Sequence, residues 1–139
     1  MMYYKCKHFE IYELVDKPTF DRWGDRAWQF FNPLLLISLD SLRAFYGASV
    51  IINNWYWNGM LSQRGLRNPS STVGATFSQH RLGNAIDCDV KGVSASKVRE
   101  DIVAHKDTLF PHINCLEGNV SWVHFDCRNI ENRIMWVFP

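Results

Sequence analysis

Three residues in the chain have the types and spacing to do chemistry together. His80 and Asp87 fall within Ser78-Gln79-His80-Arg81-Leu82-Gly83-Asn84-Ala85-Ile86-Asp87, and His124 falls within Trp122-Val123-His124-Phe125-Asp126. Two imidazole nitrogens and one carboxylate oxygen suit Zn²⁺, which takes three protein ligands at catalytic sites and keeps a fourth position open. A histidine in a globular chain is more often hydrogen-bonded or solvated than a ligand. The assignment therefore depends on the elements that would bring the three together.

Asn84 to Val90 reads as a strand, and Ile113 to Glu117 and Val120 to Cys127 read as two more, joined across Gly118-Asn119 as a hairpin. If Asp87 and His124 lie on neighbouring strands, alternation puts them on one face, with Cys88 and Phe125 on the other. Gly83 lets the backbone turn between the His80 loop and the Asp87 strand. Upstream, Phe20 to Phe31 carries apolar residues at helical spacing and ends at Asn32-Pro33. A second helix runs from about Leu34 to Tyr46, with Gly47 at the C-cap, and Ala48 to Ile52 is a short buried strand. Asn58 to Phe77, rich in Gly, Ser, Asn, Gln and Arg, is a long loop of the kind that carries function. A third helix is capped by Ser96 and turns Val98, Ile102 and Leu109 inward. Helices first and a mostly antiparallel sheet later define an α+β fold.

The 139 residues suffice for one domain, taken as 1–139, with a core that needs no staple. Fifteen basic residues against fourteen acidic give no electrostatic case for nucleic acid or an anionic membrane. Nine Phe, six Trp and five Tyr exclude a disordered chain. The longest apolar run, Leu34 to Leu39, is far short of the ~20 residues a membrane span needs. The opening MMYYKCKHFEIYEL does not read as a signal peptide. Cysteines 6, 88, 115 and 127 form no C-x-x-C pair, and Cys88 and Cys127 are expected as free thiols.

Ser-x-His-x-x-Gly-x-Ala-x-Asp followed by Trp-x-His resembles the zinc peptidases that cut D-alanine-containing bacterial wall peptides. These include D-alanyl-D-alanine carboxypeptidases and phage L-alanyl-D-glutamate endopeptidases, and the hedgehog signalling domain is similar in fold. The resemblance spans about Leu39 to Arg128, with the zinc motifs within 67–128. It implies Zn²⁺ on His80, Asp87 and His124, a peptidoglycan stem peptide as substrate and a monomeric phage or prophage product. Such a product is made in the cytoplasm of the infected cell and acts on the wall after release.

The same resemblance gives Arg67, in Arg64-Gly65-Leu66-Arg67, the task of gripping a substrate carboxylate, which a planar guanidinium does through two parallel bonds. Ser78 would donate to substrate backbone. The bland alternative for Arg64 and Arg67 is a pair of solvated loop charges. Many relatives carry an acid three residues before the last zinc histidine, where this chain has Ser121. Glu117 is one replacement, set opposite Ser121 by a three-residue turn. Asp126 is another, unless it only orients a ligand ring. A chain with no competent base, a silent zinc-stabilised binding or virion module, is the third possibility. Trp55 and Trp57 are packing residues or walls of the cleft, while Trp23, Trp28 and Trp136 pack in the core or its rim.

Overall fold

A computed structural model describes residues 3–131 and 133–139. Asp16 opens the first helix, α1 (Lys17–Trp23), by accepting the Thr19 N–H, and Pro18 occupies the first turn, where no N–H is missed. The single helix expected over Phe20 to Phe31 is broken at Gly24, which takes φ +52°. The chain continues as a 3₁₀ segment over Gly24–Phe30. Apolar spacing carried no sign of that change of pitch.

Helix α2 (Pro33–Tyr46) is capped by the Asn32 side chain, and it ends where the sequence predicts, at Gly47, φ +60°. Leu35, Leu36, Leu39 and Leu42 supply its buried side. Helix α3 (Ala95–Ala104) starts two residues earlier than expected, because Ser94 rather than Ser96 accepts the Lys97 N–H. Val98 and Ile102 are buried as expected, whereas Leu109 lies beyond the helix and is 42% exposed.

The strands are β1 (Val50–Ile51), β2 (Ala85–Val90), β3 (Cys115–Glu117), β4 (Val123–Asp126) and β5 (Met135–Val137). They form one sheet in the order β1-β2-β4-β3-β5. Every pairing is antiparallel except β3 with β5, so the sheet is mixed but mostly antiparallel and the α+β class holds. β5 was not anticipated, and the strand expected over Ala48 to Ile52 shrinks to two residues. Ile86, Cys88, Leu116, Val123 and Phe125 project from one sheet face into the core, where α2 and α3 cover them. The opposite face is left for chemistry.

β3 and β4 pair as Cys115 with Asp126 and Leu116 with Phe125, so they are joined by five residues, 118–122, and not by a two- or three-residue turn. Arg99 on α3 donates to the carbonyls of Val120 (3.3 Å) and Trp122 (3.0 Å), which draws this segment onto the helix. Glu117 is therefore not opposite Ser121, contrary to expectation. Continuing the register by one residue sets it across from His124. Among the described residues no helix is long and apolar enough to cross a membrane, and all four cysteines are free.

Candidate metal centre

Asp87 on β2 faces His124 on β4 across the antiparallel ladder. Facing residues project to the same side, so alternation alone puts both on the face turned away from the helices. Cys88 and Phe125 point the other way, as expected. His80 arrives from the turn before β2. Gly83 takes φ +71° there, and a Cβ on it would lie 2.0 Å from the Phe30 carbonyl oxygen, so only glycine fits. The Asn32 N–H donates to the Gly83 carbonyl at 3.0 Å and ties this turn to the start of α2. Beside β2, Arg64–Arg67 is held by the Asp87 N–H on the Arg64 carbonyl (2.8 Å) and by the Arg67 N–H on the His80 carbonyl (3.3 Å).

Ligand atoms of His80, Asp87 and His124 all lie within 4.8 Å of one another, a group that could hold a metal ion. His80 Nε2 is 3.3 Å and His124 Nδ1 2.8 Å from the same Asp87 Oδ1. The far nitrogen of each ring has its own acceptor. His80 Nδ1 donates to the Gly65 carbonyl at 2.9 Å, and His124 Nε2 donates to Asp126 Oδ2 at 2.9 Å. Such outer partners fix ring orientation and decide which nitrogen is offered inward. Here those are Nε2 of His80 and Nδ1 of His124.

Asp126 is completely buried, and Arg128 donates to it through its backbone N–H (3.2 Å), Nε (2.8 Å) and Nη2 (2.7 Å). Burial alone would raise its pKa, but the Arg128 and His124 hydrogen bonds outweigh that and hold it near 2. The same contest leaves Asp87 well below the carboxylate range, with burial opposed by His124 and His80. Burial acts to lower the His124 value, yet the hydrogen bonds from Asp126 and Asp87 push it up to about 9. The Asp126 carboxylate is thus engaged inside the protein by both Arg128 and the His124 ring.

Arg67 sits where the centre opens. Nη2 lies 3.6 Å from Asp87 Oδ2, Nε donates to the Gln63 carbonyl and Nη1 reaches Ser78 Oγ at 3.4 Å. It is not a solvated loop charge, because its side chain is largely buried and braces Asp87. Arg64, by contrast, pairs with Asp89 at 2.8 Å. Ser78 Oγ also accepts the His80 N–H (3.2 Å), which shapes the turn and leaves the hydroxyl proton to donate. Arg67, Asp87, Trp122, Met60, Gln63 and Val73 are among the residues lining a cleft of about 280 Å³.

Trp55 and Trp57 do not line that cleft. They pack with Tyr12, Phe20 and Tyr56, and Trp55 Nε1 donates to the Val15 carbonyl. Sequence reasoning missed the Gly65 carbonyl and Arg128 as supports. The His-x-Asp-x-Arg spacing from His124 to Arg128 was the available signal for the latter. No family model, curated protein or solved structure matches this chain.

Proposed function

We propose that the chain is a zinc metallopeptidase that hydrolyses an amide bond in bacterial peptidoglycan stem peptides, of carboxypeptidase or endopeptidase type. The observation that carries this reading is the convergence of His80 Nε2, Asp87 and His124 Nδ1 beside an open cleft, each ring steadied from behind by its own acceptor. This donor set fits zinc, since neutral imidazole and carboxylate are its usual ligands at three-residue catalytic sites. Zinc held there would supply Lewis-acid polarisation of the scissile carbonyl and a nucleophile at neutral pH.

The chain's own groups supply the rest. Glu117, on the metal-facing side of β3, takes the proton from the attacking water and returns it to the leaving amine. Its register across from His124 on the neighbouring strand supports this role. Asp126 is a poor base, because His124 and Arg128 already occupy its oxygens. Arg67 turns its fork to a substrate carboxylate while bracing Asp87, and Ser78 donates to the substrate backbone. The substrate then lies in the bacterial wall, reached from the infected cell's cytoplasm after membrane breach.

Ser121 favours a second reading, a catalytically silent zinc-stabilised binding or virion module, because a hydroxyl stands where an acid is expected. One assay separates the two. Purified, zinc-loaded protein is incubated with isolated peptidoglycan and new amino groups are counted. Release above a zinc-stripped control supports the peptidase, and none from any wall preparation supports the silent module.

A further inference from the structure

Among the described residues, the indole Nε1 of Trp122 is the one buried side-chain nitrogen or oxygen that has no hydrogen-bond partner. A buried donor left without an acceptor is costly, and native structures keep few of them. This one belongs to a residue that lines the metal cleft.

Its place is set by the backbone. Arg99 donates to the Trp122 carbonyl at 3.0 Å, which holds the main chain just before β4. Val123 points into the core and His124 to the metal face, so alternation returns Trp122 to the side of His124. Two residues of strand separate the pair, roughly 6.8 Å along β4.

The protein's own acceptors there are taken. Continuing the β2–β4 register by one pair sets Asp89 across from Trp122, and Asp89 Oδ2 is held by Arg64 at 2.8 Å. In the cleft wall Gln63 Oε1 accepts from Ser71 Oγ at 2.7 Å, and Asp87 serves His124, His80 and Arg67. Donors are in surplus, since Trp122 shares that wall with Arg64 and Arg67, whose side chains accept nothing. A donor-rich cleft suits a ligand rich in acceptors, and a peptide backbone presents a carbonyl oxygen at every residue.

We infer that Trp122 is a specificity residue whose indole N–H donates to an amide carbonyl of the bound ligand. That the ligand is a peptide rests on the peptidase reading. The acceptor lies about two peptide units from the carbonyl next to the metal, because an extended chain covers the His124–Trp122 span in two residues. Meeting it takes a turn of the half-buried ring, with the backbone fixed by Arg99. That turn breaks no hydrogen bond, so the new bond is a clear gain.

Two zinc-anchored probes test this by binding, without turnover. Acetyl-L-alanyl-D-alanine hydroxamate carries a carbonyl two peptide units from its metal-binding end, and acetohydroxamate carries none beyond that end. Zinc-loaded, full-length wild type and Trp122→Phe are titrated with each by calorimetry. The variant keeps an aromatic ring and loses the donor. It should bind the peptidyl probe about three- to tenfold more weakly, the range of one hydrogen bond, and bind acetohydroxamate as wild type does. In ¹⁵N-labelled wild type, the Trp122 indole N–H resonance should move downfield with the peptidyl probe and stay in place with acetohydroxamate. Equal peptidyl-probe affinity in the two proteins, an unmoved resonance, or no binding of that probe to wild type would overturn the inference. If peptidoglycan yields no amino groups while both signals appear, the peptidase reading falls and the Trp122 contact stands. Amino groups released while Trp122→Phe binds like wild type give the reverse.

Discussion

Asp126 Oδ2 accepts the His124 Nε2 proton at 2.9 Å, and that one bond turns Nδ1 of the same ring to within 2.8 Å of Asp87. A residue two positions along the same strand thus decides which nitrogen a metal would meet. Arg128 holds Asp126 in turn through three donors, so the orientation is built from the outside inward.

Asp126→Asn should therefore weaken zinc binding by about 10–100-fold, the usual cost of losing an outer-shell partner. Chelator competition measures this directly. A base that also oriented the ring would lose turnover even at saturating zinc. The expected result is near-normal turnover once zinc saturates, because Asp126 only orients.

Zinc affinity should rise with pH up to about 9. The raised His124 value, from 6.5 to about 9, means the imidazolium of the metal-free protein must give up its Nδ1 proton when a metal binds. For the metal-free fold the sign is opposite. The stability contributed by charged His124 is fully present below 6.5 and is lost as pH rises through about 9. Calorimetry in buffers of different ionisation enthalpy should show about one proton released per zinc near pH 7.5.

Gly83→Ala should cost about 2–3 kcal/mol of stability, the upper range for a single substitution. Positive φ disfavours any side chain there, and the added Cβ would meet the Phe30 carbonyl oxygen at 2.0 Å. Thermal or urea unfolding reads this. An unchanged midpoint would mean that the turn carrying His80 is not held against the start of α2.

Arg67→Lys should lower catalytic efficiency on wall peptides by about tenfold or more, with zinc content nearly unchanged. Lysine keeps the charge but loses the fork. Because Arg67 also braces Asp87 at 3.6 Å, a small loss of zinc affinity is expected alongside. Unchanged efficiency would leave Arg67 with the bracing role alone.

Glu117→Gln should keep zinc bound and lower turnover by about 10²–10⁴-fold, the usual contribution of a general acid–base group. Steady-state kinetics on isolated wall peptides, with zinc content checked in parallel, distinguishes this from metal loss. Wild-type turnover in the variant would remove Glu117 from the reaction.

The metal face was legible because strand alternation is local. Once Asp87 and His124 fall on paired strands, their common face follows from a period of two, and Gly83 marks the turn between His80 and Asp87. Where long-range contacts overrode local pattern, the sequence was silent. Arg99 draws residues 120–122 onto α3, which lengthens the β3–β4 connection and moves Glu117 from Ser121 to His124. β5 owes its place to pairing with β3, about twenty residues earlier, and nothing within Met135–Val137 announces that partner. Gly24 breaks the first helix without disturbing its apolar spacing.

Zinc content of the purified protein, measured by elemental analysis against protein concentration, tests the central claim most directly. Wild type should hold close to one zinc per chain, and the double variant His80→Ala/His124→Ala should hold almost none. Full zinc occupancy in that double variant would contradict the metal centre, and with it the function proposed on top of it.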